Sequence, residues 1–156
     1  MKKIMFICHG NICRSPMAEF IMKDIVKKNH KENDYYISSS AVSDEEIYRG
    51  IGNPIYPPAK KALKDHNIEF SEHYAVILKK EDYDKYDLLI AMDSYNMRLV
   101  NYIIGHDKLN KVHKLLEYTN NIRDVSDPWY TRDFDRAFND IKDGCLALFN
   151  YLESKK

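Results

Sequence analysis

Residues 8–16 read Cys8-His9-Gly10-Asn11-Ile12-Cys13-Arg14-Ser15-Pro16, and the fold follows from what must stand on either side of them. Before the stretch, residues 3–8 form a short apolar run, which fits a buried strand ending at Cys8. After it, Ser15 is a candidate N-cap with Pro16 at the first helical position, where a missing N–H costs nothing. Met17, Phe20, Ile21 and Ile25 then recur at helical spacing, predicting a helix as far as Lys28. Strand, tight loop and helix in that order open an α/β unit.

Working outward, residues 35–39 read as a second strand. Residues 43–58, with Gly50, Gly52, Pro54, Pro57 and Pro58, read as an irregular loop, and 59–66 as a short helix. Residues 86–92 contain the fully apolar Leu88-Leu89-Ile90-Ala91, a third strand, after which Asp93 or Ser94 can cap a helix to Asn101. A weaker fourth strand covers 111–116 and a loop covers 117–132. Phe134, Phe138, Ile141, Cys145, Leu148 and Leu152 then mark a long amphipathic terminal helix. The alternation predicts a single α/β domain over 1–156, with a four-stranded parallel sheet covered by helices on both faces. Ligands of such sheets sit beyond the carboxyl ends of the strands, where Cys8 lies.

Composition narrows the function classes. Lys and Arg together number 24, as do Asp and Glu, so no global basic bias favours nucleic acid or anionic lipid. The apolar run near the N-terminus is too short for a signal peptide or a membrane span. Three cysteines, an odd count without paired spacing, suit a reducing compartment, and a cytoplasmic location is expected.

The chemistry concentrates in 8–15. A loop of this length can curl so that successive backbone N–H groups converge on one point, and the following helix start adds about half a positive charge there. Gly10 permits the curl, and Asn11 is the non-glycine residue most tolerant of positive φ. Arg14 offers a planar fork that matches two phosphoryl oxygens. A thiol in such a cup is stabilised as its anion, which makes Cys8 the candidate nucleophile. Ser15, if the curl brings it near, can donate to the sulfur and help it leave in a second step. A buried structural cysteine is the blander reading, and it suits Cys145 on the apolar stripe of the last helix. Cys8, His9 and Cys13 lack the paired short intervals of a zinc site, so no metal is expected.

The string CHGNICRSPMAE, residues 8–19, resembles the phosphate-binding loop of low-molecular-weight protein-tyrosine phosphatases. The resemblance extends to Ala41-Val42-Ser43, Ala91-Met92-Asp93 and Asp127-Pro128-Trp129-Tyr130. It implies a sheet of order 2-1-3-4 and a metal-free, cofactor-free hydrolase that forms a phosphocysteine on Cys8. Arg14 and the loop amides of His9, Gly10, Asn11, Ile12 and Cys13 would hold the oxygens, and Asp127 would act as general acid and then base. Ile12, Trp129 and Tyr130 would wall the substrate ring, with Tyr48 as a candidate for a rim aromatic. Asn11 would be held by Ser15, Ser39 and a histidine, matched to His73 with His66 as rival. Cys13 would be the redox partner of Cys8 through a reversible disulfide. The implied partners are a phosphotyrosine protein or peptide as substrate and inorganic phosphate as product and competing ligand, with no nucleic acid and no membrane.

Some positions depart from the family pattern. His9 stands where Leu or Thr is frequent, Ser38-Ser39-Ser40 where Asp-Ser-Gly is usual, Val76 where Arg is frequent, and Trp129 where many members have Tyr. Residues 44–56 are longer than in the mammalian enzymes. A thioredoxin-coupled arsenate reductase is a rival on the same fold, but no cysteine stands between Cys13 and Cys145. A protein-arginine phosphatase would carry Thr in place of Ile12 and lack the paired aromatics. A non-catalytic phosphate-binding module would need neither Cys8 nor Asp127.

Overall fold

The last five residues of β1 (Lys2–Cys8) are all buried, because this strand lies inside the sheet and is covered on both faces. The computed structural model describes residues 1–156. After β1 come α1 (Arg14–Lys28), β2 (Tyr35–Ala41), a hairpin of β3 (Ile47–Tyr48) and β4 (Ile51–Gly52), and α2 (Pro57–Asp65). Next are α3 (Asp82–Lys85), β5 (Leu88–Ala91), α4 (Ser94–Ile104) and β6 (Val112–Lys114). A 3-10 turn at Leu115–Tyr118, α5 (Pro128–Thr131) and α6 (Phe134–Ser154) complete the chain. The main sheet has the order β2-β1-β5-β6 and every pairing in it is parallel. Counting only its four strands, this is the 2-1-3-4 order that the sequence resemblance implies.

Alternation along β1 sends Ile4, Phe6 and Cys8 to one face and Met5 and Ile7 to the other. The first set joins a core with Met17 and Ile21 of α1 and Phe138, Ile141 and Leu148 of α6. The second joins Leu89 of β5 and Val100 and Ile104 of α4. Helices therefore cover both faces, and the β1–α1 connection emerges at the carboxyl edge with Cys8 turned to the α1 side.

Three local expectations change. Helix α1 begins at Arg14, with Cys13 as its N-cap, so Ser15 lies inside the first turn rather than capping it. Its hydroxyl is fully buried and has partners in the preceding loop, which a capping role would forfeit. Residues 43–58 are not wholly irregular, since β3 and β4 form a hairpin through Arg49 and Gly50, both at positive φ. That hairpin packs on residues 74–76 so closely that a Cβ on Gly52 would fall 2.0 Å from the Ala75 carbonyl oxygen. Residues 117–132 likewise contain the end of the 3-10 turn and α5.

Candidate active site

The loop between β1 and α1 curls around the Cys8 sulfur. Asn11 is its left-handed residue, at φ 61°, and its N–H donates to Cys8 Sγ at 3.3 Å. Gly10 contributes space instead of an unusual φ: a Cβ there would lie 3.0 Å from Glu46 Cγ. The N–H groups of His9, Gly10, Ile12, Cys13 and Arg14 donate to no protein atom, so all five are available to an oxyanion at the cup.

The Asn11 side chain ties the loop to three other segments. Its Nδ2 donates to Ser15 Oγ at 2.7 Å and to Ser39 Oγ at 3.0 Å. Its Oδ1 accepts from Val76 N at 3.0 Å and lies 3.1 Å from His73 Nε2. These bonds fix proton directions. Ser15 Oγ, accepting from Asn11, lies 3.0 Å from Cys8 Sγ and 3.5 Å from Ser40 O, and it is the donor to the sulfur once that sulfur is a thiolate. Ser39 donates to Glu19 Oε1 at 2.6 Å. His73, donating from Nε2, presents Nδ1 to Glu19 at 3.8 Å. Burial holds the His73 imidazolium below its usual range despite Glu19 and the Asn11 backbone carbonyl. His66, the rival histidine, instead stacks on Phe138 with ring centroids 3.8 Å apart.

Arg14 is buried beneath the cup. Nη1 donates to Asp93 Oδ2 at 2.8 Å and to the Val125 carbonyl at 3.0 Å, and Nη2 to Asp127 Oδ2 at 3.4 Å. Burial works against its charge, but Cys8, Asp93 and Asp127 outweigh that and strengthen its hold on the proton. Cys13 differs: burial first, then the neighbouring Cys8 and Asp127, push its thiol up to about 12. The two loop cysteines thus stand in different surroundings although only five positions separate them in sequence.

Asp127 approaches from the loop before α5 and caps that short helix by accepting from Trp129 N at 3.0 Å. The segment behind it is pinned. Val125 N donates to Met92 O at 2.9 Å, and Asp124 Oδ1 accepts from Ser94 N, Ser94 Oγ and Lys114 Nζ at 3.1, 3.1 and 2.9 Å. Trp129 leans on Tyr56, centroids 5.4 Å apart, and Tyr56 stacks on Phe134. One cleft of about 690 Å³ has Cys8, Ile12, Arg14, Asp127, Trp129 and Tyr130 on its lining.

Tyr48 is the candidate that the fold does not bring to the cleft. It is 73% exposed on the hairpin, beside Arg49, while Glu46 two residues earlier lines the cleft in its place. Four contributors escaped the sequence reading: Glu19, Asp93, Asp124 and Tyr56. Glu19 gave a signal in its position four residues before Lys23, but nothing in sequence tells that its other oxygen is turned inward to Ser39. Asp93 was legible as a cap, which it is, through Asn96 N at 2.7 Å. Its second oxygen on Arg14 depends on β1 and β5 being neighbours.

A sulfur atom at the end of a parallel sheet, ringed by free amides, a buried guanidinium and an opposed carboxylate, defines a thiol-dependent phosphoryl-transfer fold. The chain belongs to the low molecular weight phosphotyrosine protein phosphatase family, whose model matches residues 3–156. It is 32% identical to the low molecular weight protein-tyrosine-phosphatase YfkJ of Bacillus subtilis over 158 residues, covering 100% of this chain and 99% of the relative. The crystal structure of YfkJ superposes with a TM-score of 0.93, covering 100% of this chain and 97% of that one. The PtpA protein of Staphylococcus aureus is 33% identical, over 97% of this chain and 94% of its own. The low molecular weight protein tyrosine phosphatase of Streptococcus pyogenes is 35% identical with a TM-score of 0.85, over 97% of this chain and 93% of that one. The family hydrolyses phosphoproteins to release phosphate and needs no metal.

Proposed function

We propose that residues 1–156 work as one phosphatase domain, removing phosphate from phosphotyrosine in proteins or peptides, with Cys8 as nucleophile and Asp127 as general acid. The observation that carries the reading is the meeting of Cys8, five unpartnered loop amides, Arg14 and Asp127 in one cleft. In the first half-reaction the Cys8 thiolate attacks phosphorus, the bond from phosphorus to the tyrosyl oxygen breaks, and protonated Asp127 gives its proton to that oxygen. The Arg14 guanidinium and the free amides of His9, Gly10, Ile12, Cys13 and Arg14 hold the three equatorial oxygens in both half-reactions, while the Asn11 amide stays on the Cys8 sulfur. In the second half the Asp127 carboxylate takes a proton from water, the water oxygen bonds to phosphorus, and the phosphorus–sulfur bond breaks. The Ser15 hydroxyl then receives the departing thiolate with a hydrogen bond.

Asn11, Ser39 and His73 keep the loop in this shape, and Ile12, Trp129 and Tyr130 wall the phenyl ring. Cys13 serves as partner for a reversible disulfide that shields Cys8 from deeper oxidation. A cytoplasmic setting is part of the same proposal, supported by three cysteines that are all free thiols. No helix is long and apolar enough to cross a membrane.

The test compares phosphotyrosine and phosphoarginine peptides in reducing buffer containing a chelator. Phosphate release from phosphotyrosine, lost in Cys8→Ser, is expected. Faster release from phosphoarginine, or turnover that survives in Cys8→Ser, would overturn the reading.

A further inference from the structure

The cleft has a second wall that phosphoryl transfer does not use. Beyond the cup its lining is His9, Glu45, Glu46, Tyr95 and Asn96. Glu45 and Glu46 carry the sign of the phosphate that the cleft must attract, so a site built for a phosphoryl group alone would be weakened by them. Neither carboxylate is bound to a lysine or arginine. Glu45 lies 3.2 Å from His9 Nε2, and Glu46 Oε1 accepts only from Asn53 Nδ2 at 3.0 Å, which holds that side chain in place. Gly10 is the loop residue that leaves Glu46 this room.

Two further features on α4 point to a polar, cationic occupant. Tyr95 is half exposed and its ring lies 6.2 Å from that of His9, so it borders the acidic pair with an aromatic surface, one face of which is taken by the chain's own Arg98 at 5.9 Å. Asn96, next in sequence, is 1% exposed, yet neither its amide nitrogen nor its oxygen has a protein partner. A buried primary amide left unpaired is costly, and at the lining of a cleft it marks a wall made for polar contact.

We propose that His9, Glu45, Glu46, Tyr95 and Asn96 form a subsite for a lysine or arginine side chain next to the phosphotyrosine of the substrate. The subsite rests on the phosphatase reading and narrows its substrates to phosphotyrosine segments with a basic neighbour. The phosphate takes the amides and Arg14, while the cation offsets Glu45 and Glu46, so each charge of the substrate meets its opposite.

The experiment measures kcat/KM for matched phosphotyrosine peptides carrying Lys, Ala or Glu at the flanking positions, with wild type and the Glu45→Gln, Glu46→Gln double variant. Hydrolysis of p-nitrophenyl phosphate calibrates the cup of each protein, and the readout is the ratio of Lys to Glu peptide within one protein. A wild-type ratio of about fivefold or more, shrinking at high ionic strength and falling toward one in the double variant, is expected. Equal rates for the peptides in wild type, or an unchanged ratio in the double variant, would overturn the subsite while leaving the phosphatase reading intact. Turnover of p-nitrophenyl phosphate without turnover of any phosphotyrosine peptide would overturn both.

Discussion

The Ser15 hydroxyl lies 3.0 Å from the Cys8 sulfur, and toward a thiolate, which can only accept, it is necessarily the donor. A donor held there stabilises a thiolate whenever one forms, and in the proposed cycle one forms when the phosphocysteine breaks down. Ser15→Ala should therefore slow dephosphorylation more than phosphorylation, by about 10- to 100-fold, the scale of about 1.5–3 kcal/mol of charge-assisted bonding. Rapid-quench kinetics would show a larger burst of phenol followed by a slower steady state. A burst and steady state reduced in equal proportion would contradict this assignment.

The acid loop gives a second expectation. Asp127→Ala should cut turnover of phosphotyrosine by about 10²- to 10⁴-fold and affect an activated ester with a good leaving group much less. Asp124, three residues earlier, is held by Ser94 and Lys114, whose bonds outweigh the effect of burial and keep its carboxyl below the usual range. Asp124→Ala should show the same leaving-group pattern in weaker form, since it loosens the segment that aims Asp127. A plot of rate against leaving-group acidity for both variants is the measurement.

Thiol labelling separates the three cysteines. Burial and its anionic neighbours push Cys13 up to about 12, and burial alone raises Cys145, so neither presents thiolate at neutral pH. Iodoacetamide at pH 7 should add one group, at Cys8, with loss of activity, and phosphate should slow the addition. Intact-mass and peptide mapping would check it. A second adduct forming at the same rate would contradict the picture.

His73 should leave a mark on stability in mild acid. Its folded-state proton affinity is depressed, chiefly by burial, so the unfolded chain takes up a proton that the folded one refuses. Its contribution is fully present above the unfolded value, about 6.5, and is lost as pH falls below it toward the folded value. His73→Gln keeps a donor for Asn11 without a titrating ring. Between pH 7 and pH 5 the Tm of wild type should fall more than that of the variant, as followed by calorimetry.

Asn11 is where loop shape and stability meet. Asn11→Ala removes bonds to Ser15, Ser39 and Val76 and places alanine at φ 61°. The cost should be about 2–4 kcal/mol of stability, from unpaired buried groups and left-handed strain together. Denaturant melts would give the figure, and phosphate affinity should fall with it.

Much of the fold was legible because its signals are local. β1, α1, β5 and α6 announce themselves by apolar runs or helical spacing, and Asp93 reads as a cap from its place between a strand and a helix. The hairpin was missed because its turn uses Arg49 before Gly50, and arginine carries no advertisement for positive φ. Ser15 was misplaced as a cap because Ser-Pro commonly starts helices, whereas here Cys8 and Asn11 compete for the hydroxyl and win. Tyr48 was set at the rim from its residue type, but in the hairpin it is Glu46 that lines the cleft.

By itself the sequence determined the parallel α/β architecture and the joining of Cys8 and Arg14 in one short loop, because periodicity and loop length are properties of neighbouring residues. The family resemblance added Asp127 and His73 to that loop, and only the tertiary structure decided that Glu19 and Asp93 converge on it as well. It also decided that Glu45 and Glu46 face the cleft. The reason is geometric: a parallel sheet gathers the carboxyl ends of strands far apart in sequence at one edge, and side chains meet there across separations that no local pattern encodes.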